Sequence, residues 1–193
     1  MGDKPLLLAL ALLALSVYIP ISRSMPRRIC EMPIDGRVPF LPIFVLPYLG
    51  LLPFVIMAFF ILYTTEVAVP FLLSLTIVGV LFGITGPLIS CGAPRADATG
   101  KGILRSLVRF VYWVDGKHNN AVFPSTHVYL SVICGYYLAL VFSVYAPFIW
   151  LGALLIAMST IFIKQHNVMD IGGGVLWATT AIYLSDFVLT FLS

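Results

Sequence analysis

Three groups of residues carry types and spacings suited to chemistry. His166 and Asp170 stand four apart, which in a helix puts them on one face with the carboxylate in reach of the imidazole. An Asp so placed fixes the tautomer of a His and stabilises its charged form. As an isolated feature the same pair also fits a plain helix start, with Asp170 as its cap. The second group is Phe123-Pro124-Ser125-Thr126-His127. Pro124 suits the first turn of a helix, so the N–H groups of Ser125, Thr126 and His127 would open that helix without intrahelical acceptors, an arrangement suited to anions. A hydrated helix start with a solvent-facing His is the simpler alternative. The third is Arg95, which follows Gly92-Ala93-Pro94. Its planar fork matches phosphate oxygens, although pairing with Asp97 or with lipid headgroups would equally explain it.

These residues must be positioned by elements that live in lipid. Of 193 residues, 61% are hydrophobic and 10% charged, and the mean hydropathy is +1.05. Soluble domains carry about a quarter charged residues, so a water-soluble globule is excluded. A net charge of +3 with no basic tail or patch argues against nucleic acid as a partner. Six apolar stretches, residues 5–21, 41–63, 67–89, 124–145, 147–163 and 171–192, approach the roughly 20 residues that a spanning helix needs. The first offers no small-x-small cleavage site and is read as a helix, not a signal peptide. Pro47, Pro53, Pro70 and Pro87 should kink these helices without ending them. With no repeat or linker, residues 1–193 form one all-α transmembrane domain.

The connections are unequal. Those near 64–66 and 146 are nearly featureless. The other three share one side of the membrane and hold ten of the eleven basic residues and all three histidines, His118, His127 and His166. The positive-inside rule puts that side in the cytoplasm, but a site for anionic phosphate gathers the same residues, which leaves orientation open. Lys101, Arg105 and Arg109 recur every four residues among apolar neighbours. They predict an amphipathic helix lying in the interface before the fourth span, with substrate contact as the alternative. Cys30, Cys91 and Cys134 have no metal-ligand spacing.

Taken together, Pro124-Ser125-Thr126-His127 and Ser159-Thr160-x5-His166-x3-Asp170 resemble the second and third motifs of the type 2 phosphatidic acid phosphatase superfamily. That family is a six-helix membrane bundle whose motifs, Lys-x6-Arg-Pro, Pro-Ser-Gly-His and Ser-Arg-x5-His-x3-Asp, share one face. Here Thr126 replaces the Gly, Thr160 replaces the Arg, and the first motif survives as Arg95-Ala96 with Leu88 where its Lys would stand. Asp115 to His127 and Lys164-Gln165-His166 look more like the inositolphosphorylceramide synthase and inositolphosphotransferase-like branch. In that branch an Asn precedes Phe-Pro-Ser-x-His; Asn120 stands one residue farther from Phe123 than the pattern would have it.

The resemblance implies a lipid-phosphate phosphatase or phosphotransferase that needs no cofactor or metal. His166 would be the nucleophile, Asp170 its orienting partner and His127 the acid and base. Arg95, Ser125, Thr126 and Lys164 would hold phosphate oxygens, while Asn120, Gln165 and Asp115 would line the site. Substrates would be a membrane lipid phosphate or phosphodiester, and the acceptor water or an alcohol such as inositol or a lipid alcohol. The family's site is extracytoplasmic, where Cys30 and Cys91 would share an oxidising compartment and could pair. Two rivals stand beside this one: a metal-dependent hydrolase with His127, His166 and Asp170 as ligands, and a transport or structural membrane protein without turnover.

Overall fold

The computed structural model describes residues 3–116 and 123–192. Its helices are α1 (Lys4–Ser16), α2 (Tyr18–Ser22), α3 (Val45–Leu49), α4 (Leu51–Leu62), α5 (Ala68–Leu88), α6 (Ile103–Val114), α7 (Thr126–Val141), α8 (Ala146–Phe162) and α9 (Val168–Leu192). Proline explains several boundaries. Pro20, Pro53 and Pro70 are each the third residue of their segment, α2, α4 and α5. A proline there cannot donate to the carbonyl four residues back, so a continuous rod breaks just before it or begins there. Thus α1 and α2 meet at Val17, and α3 and α4 meet at Gly50. Pro53 thus marks a joint within the continuous rod Pro42–Leu62, and Pro87 lies inside α5, in keeping with kinks that do not end the rods.

Five rods, Lys4–Ser22, Pro42–Leu62, Ala68–Leu88, Ser143–Phe162 and Val168–Phe191, are long and apolar enough to cross a bilayer. The chain is therefore a multi-pass membrane bundle. α7 is shorter than the expected 124–145: it ends at Val141, and Ser143–Tyr145 is a 3-10 turn that leads into the next rod. At 1.5 Å per residue, 16 residues span about 24 Å, less than a typical hydrocarbon core. α7 is the central helix. Tyr129, Ile133, Cys134 and Tyr137 are buried among Phe71, Leu75, Val78 and Phe82 of α5 and Ala178 and Ala181 of α9. Leu12, Leu13, Phe60, Phe148, Phe187 and Phe191 point outward, as lipid requires.

Small residues set the closest approaches. A Cβ on Gly79 of α5 would lie 2.7 Å from that of Ala14 in α1. On Gly174 of α9 it would lie 2.6 Å from Val128 Cβ and 3.1 Å from the Ser125 carbonyl. The second contact lets the start of α9 seat directly against the start of α7.

Lys4 Nζ donates to the Tyr63 carbonyl at 3.1 Å, which ties the N-terminus to the α4–α5 connection. The opposite end of the bundle carries residues 23–41, 89–116, 123–125 and 163–167. There β1 (Arg28–Ile29) and β2 (Cys91–Gly92) form a short parallel ladder, and Cys30 and Cys91 are joined in a disulfide with Cα atoms 5.5 Å apart. A second apolar cluster, Val45, Tyr48, Ala98, Val108, Val111 and Ile163, lies beneath α6. The other face of α6 bears Ile103, Phe110 and Trp113, the last 77% exposed. Arg105 and Arg109 fold back onto the carbonyls of Asp97, Ala98, Thr99 and Gly100. They fasten the loop that precedes their own helix.

Candidate functional site

The 163–167 turn is built by the end of α8. Lys164 adopts a left-handed conformation, φ 58°, that reverses the chain. The N–H groups of Gln165 and His166 then both donate to the Thr160 carbonyl, at 2.9 and 3.1 Å. His166 consequently lies in the turn before α9, which corrects the expectation that it shares a helical face with Asp170. The pairing persists for another reason. Asp170 is the third residue of α9, and its Oδ2 reaches back to the Asn167 N–H at 3.1 Å and to His166 Nδ1 at 3.0 Å. One carboxylate thus closes the helix start and orients the imidazole. Both side chains are largely buried, with 9% of His166 and 3% of Asp170 exposed. With Nδ1 engaged by Asp170, Nε2 is the nitrogen left to act as nucleophile.

His166 borders a cavity of about 200 Å³ whose other lining residues include Arg95, Lys164, Asn167, Glu31 and Asp35. Arg95 Nη1 donates to the Gly116 carbonyl at 2.9 Å, and the guanidinium lies 4.7 Å from the centre of the Tyr112 ring. Its Nε and Nη2 are buried without a partner among the described residues. Burial lowers its pKa from the ordinary guanidinium value, against the raising influence of Asp115 and two tyrosines. Such orphaned charged donors favour a bound anion. Lys164 Nζ donates to the Asp35 carbonyl at 2.8 Å. Both carboxylate oxygens of Asp35 are committed, one to the Met32 N–H at 2.8 Å and the other to the Val168 N–H at 2.7 Å. Asp35 therefore bolts the 30–38 loop to the turn that holds His166. Asn167 adds a bolt of its own, because its side-chain amide donates to the Cys30 carbonyl.

His127 is brought to the same end of the bundle, linked to Gln165, the neighbour of His166, through Tyr48 and Asp115. Its ring stacks on Tyr48, centroids 3.9 Å apart and planes at 22°, and its Nδ1 is buried without a partner among the described residues. It does not line the Arg95 cavity, nor do Ser125 and Thr126. The Ser125 N–H is not open to an anion either: it donates to the Asp170 carbonyl at 3.3 Å. That corrects its expected role as an anion donor, whereas its buried Oγ has no partner among the described residues.

Asp115 and Gln165 stand behind the cavity wall. Asp115 Oδ2 accepts from the Tyr48 hydroxyl at 3.1 Å and from Gln165 Nε2 at 2.7 Å. Burial raises the pKa of Asp115, opposed by the Tyr48 hydrogen bond and by the charges of His166 and Arg95. Asn120, with Lys117 and His118, lies outside the described residues. Among the described residues no group of three or more His, Cys, Asp or Glu side chains converges as metal ligands would. Tyr48, Asp35, Asn167, Tyr112 and Glu31 were not anticipated. For Glu31 the one available signal is its place next to Cys30. Comparison with protein-family models, with curated proteins and with solved structures gives no significant match.

Proposed function

We propose that the chain is a membrane phosphotransferase or phosphatase acting on a lipid phosphate or phosphodiester through a phosphohistidine, as its resemblance to the type 2 phosphatidic acid phosphatases implies. The observation that carries this reading is one cavity bordered by a carboxylate-oriented imidazole, His166, and by the two unpaired guanidinium nitrogens of Arg95. An oriented nucleophile beside preorganised cationic donors is what in-line phosphoryl transfer requires.

In this scheme the Nε2 lone pair of His166 forms a bond to phosphorus as the bond to the leaving oxygen breaks. His127 gives that oxygen a proton. Asp170 stabilises the charge that the His166 ring acquires. Water or an alcohol then loses its proton to His127 and attacks phosphorus, and the P–N bond breaks. Arg95 and Lys164 hold the non-reacting oxygens. The bound phosphate supplies the negative charge that supports a protonated His127 in its buried position. The disulfide supports an extracytoplasmic site face, because such bonds persist in oxidising compartments.

The test is turnover by the purified protein of phosphatidic acid, polyprenyl diphosphate and phosphatidylinositol, each with and without inositol or ceramide. His166→Ala should lower the rate by about three decades or more. Because one imidazole must be neutral and the other protonated, the rate should rise and then fall with pH. Near-normal turnover in His166→Ala, or a flat pH profile, removes this mechanism.

A further inference from the structure

One carboxylate that the scheme above leaves idle bonds a neighbour of each imidazole. Asp115 caps the C-terminal end of α6, its own N–H bonded to the Val111 carbonyl at 3.0 Å. A single oxygen of its carboxylate receives two side-chain donors from different parts of the fold. One is the hydroxyl of Tyr48, on α3, whose ring is the stacking surface for His127. The other is the amide of Gln165, the residue immediately before His166, which is itself buried and hangs with His166 from the Thr160 carbonyl. The next residue after Asp115, Gly116, gives its carbonyl to Arg95. Three site residues are therefore referred to one short segment at the end of α6.

We propose that Asp115 is a positioning residue that holds the His127 and His166 rings at a fixed mutual distance, through Tyr48 on one side and Gln165 on the other. This rests on the functional reading above, in which both rings serve one phosphorus. Its physical basis is that a buried acceptor shared by two donors locks both, and that misplacing a reacting group by about 1 Å can cost on the order of 100-fold in rate. What the arrangement requires of residue 115 is an acceptor oxygen, not a charge. Because both donors converge on one oxygen, the carbonyl of an Asn can stand in for it.

The test compares Asp115→Asn with Asp115→Leu in the full-length protein. The Asn variant should keep turnover within about threefold of wild type, while Leu should lower kcat by about 10-fold to 100-fold with KM little changed, because the loss falls on alignment and not on binding. Ring signals of isotope-labelled histidine, followed by NMR across pH in detergent, give a readout that does not need turnover. The charged or titratable groups near this pair are Arg95, Asp170, Tyr48 and Tyr18. Of these only Tyr48 changes in the variants that follow, where its hydroxyl is the group under test, and the position-115 variants remove the Asp115 carboxyl itself, in Asn as in Leu. Tyr48→Phe keeps the stacking ring and removes the hydroxyl, and should move the titration of His127 alone. Gln165→Leu should move His166 alone, and Asp115→Leu should move both, with Asn restoring them.

Asn as damaging as Leu, or histidine titrations unmoved in all these variants, overturns the proposal. If Asp115→Leu fails to fold, Tyr48→Phe and Gln165→Leu decide it by whether each moves its own histidine. If the wild type turns over no lipid phosphate, the functional reading falls, and the NMR pattern still decides whether Asp115 aligns the rings.

Discussion

Glu31 and Asp35 place two carboxylates around a cavity that also holds Arg95 and Lys164. On the proposed function, that balance of charge would suit a monoanionic phosphodiester better than the dianion of a monoester. Asp35 is consumed by backbone donors, so Glu31 would be the side chain that sets such a preference. Glu31→Gln should raise kcat/KM for a phosphomonoester relative to a diester by about tenfold at low salt, an effect that salt should erode. An unchanged ratio would show that Glu31 does not face the phosphate. Asp115 makes a separate prediction about pH. Its pKa in the folded chain is raised above the ordinary value by burial. Its contribution to stability is therefore greatest below the ordinary carboxylate pKa and is lost as pH rises through the raised value. Thermal unfolding in detergent should show stability falling over that window in the wild type and a flatter profile in Asp115→Asn.

The joint between α7 and α9 depends on a missing side chain. Gly174→Ala would drive a methyl to 2.6 Å from Val128 Cβ, and a helix so seated yields only by shifting. The expected cost is about 1–3 kcal/mol, read as a lower unfolding temperature. Because Ser125 N–H bonds the Asp170 carbonyl across this joint, kcat should fall further than stability alone explains. Normal turnover in Gly174→Ala would uncouple the joint from the site. Much at this level was legible beforehand. His166, Asp170, Arg95 and His127 declare themselves because ionisable groups are scarce in such a sequence, and the long apolar runs mark the rods. What stayed hidden has physical causes. Tyr48 sits within an apolar run, where a phenol is indistinguishable from core until its hydroxyl finds Asp115. Asp35 and Asn167 act by bonding backbone groups more than 130 residues away in sequence, contacts that no local pattern encodes. The Ser125 N–H is spent across a helix joint instead of on an anion, and only tertiary structure reveals it.

Five rods that can cross a bilayer and a shorter central helix gather the described residues of the candidate site at one end. The disulfide at that end joins cysteines 61 residues apart in sequence and stands four residues before Arg95. A loop of that length is worth about 4 kcal/mol in the chain-entropy model, an upper value for a chain whose helices stay inserted when it unfolds. In intact cells an impermeant thiol reagent should label Cys30 and Cys91 only after an impermeant reductant is added, while Cys134, buried in the bundle, stays unlabelled. Labelling that needs the membrane to be permeabilised would put the site on the cytoplasmic side.

The outward row of Ile103, Phe110 and Trp113 on α6 has a last consequence. Among the described residues nothing covers these side chains, which suits a helix that rides at the waterline like a float. Tyr112 of that helix carries the Arg95 guanidinium, and the cavity mouth is thereby moored at headgroup depth. On the proposed function, a lipid phosphate dissolved in the leaflet would slide in sideways, headgroup first, without leaving its oily surroundings.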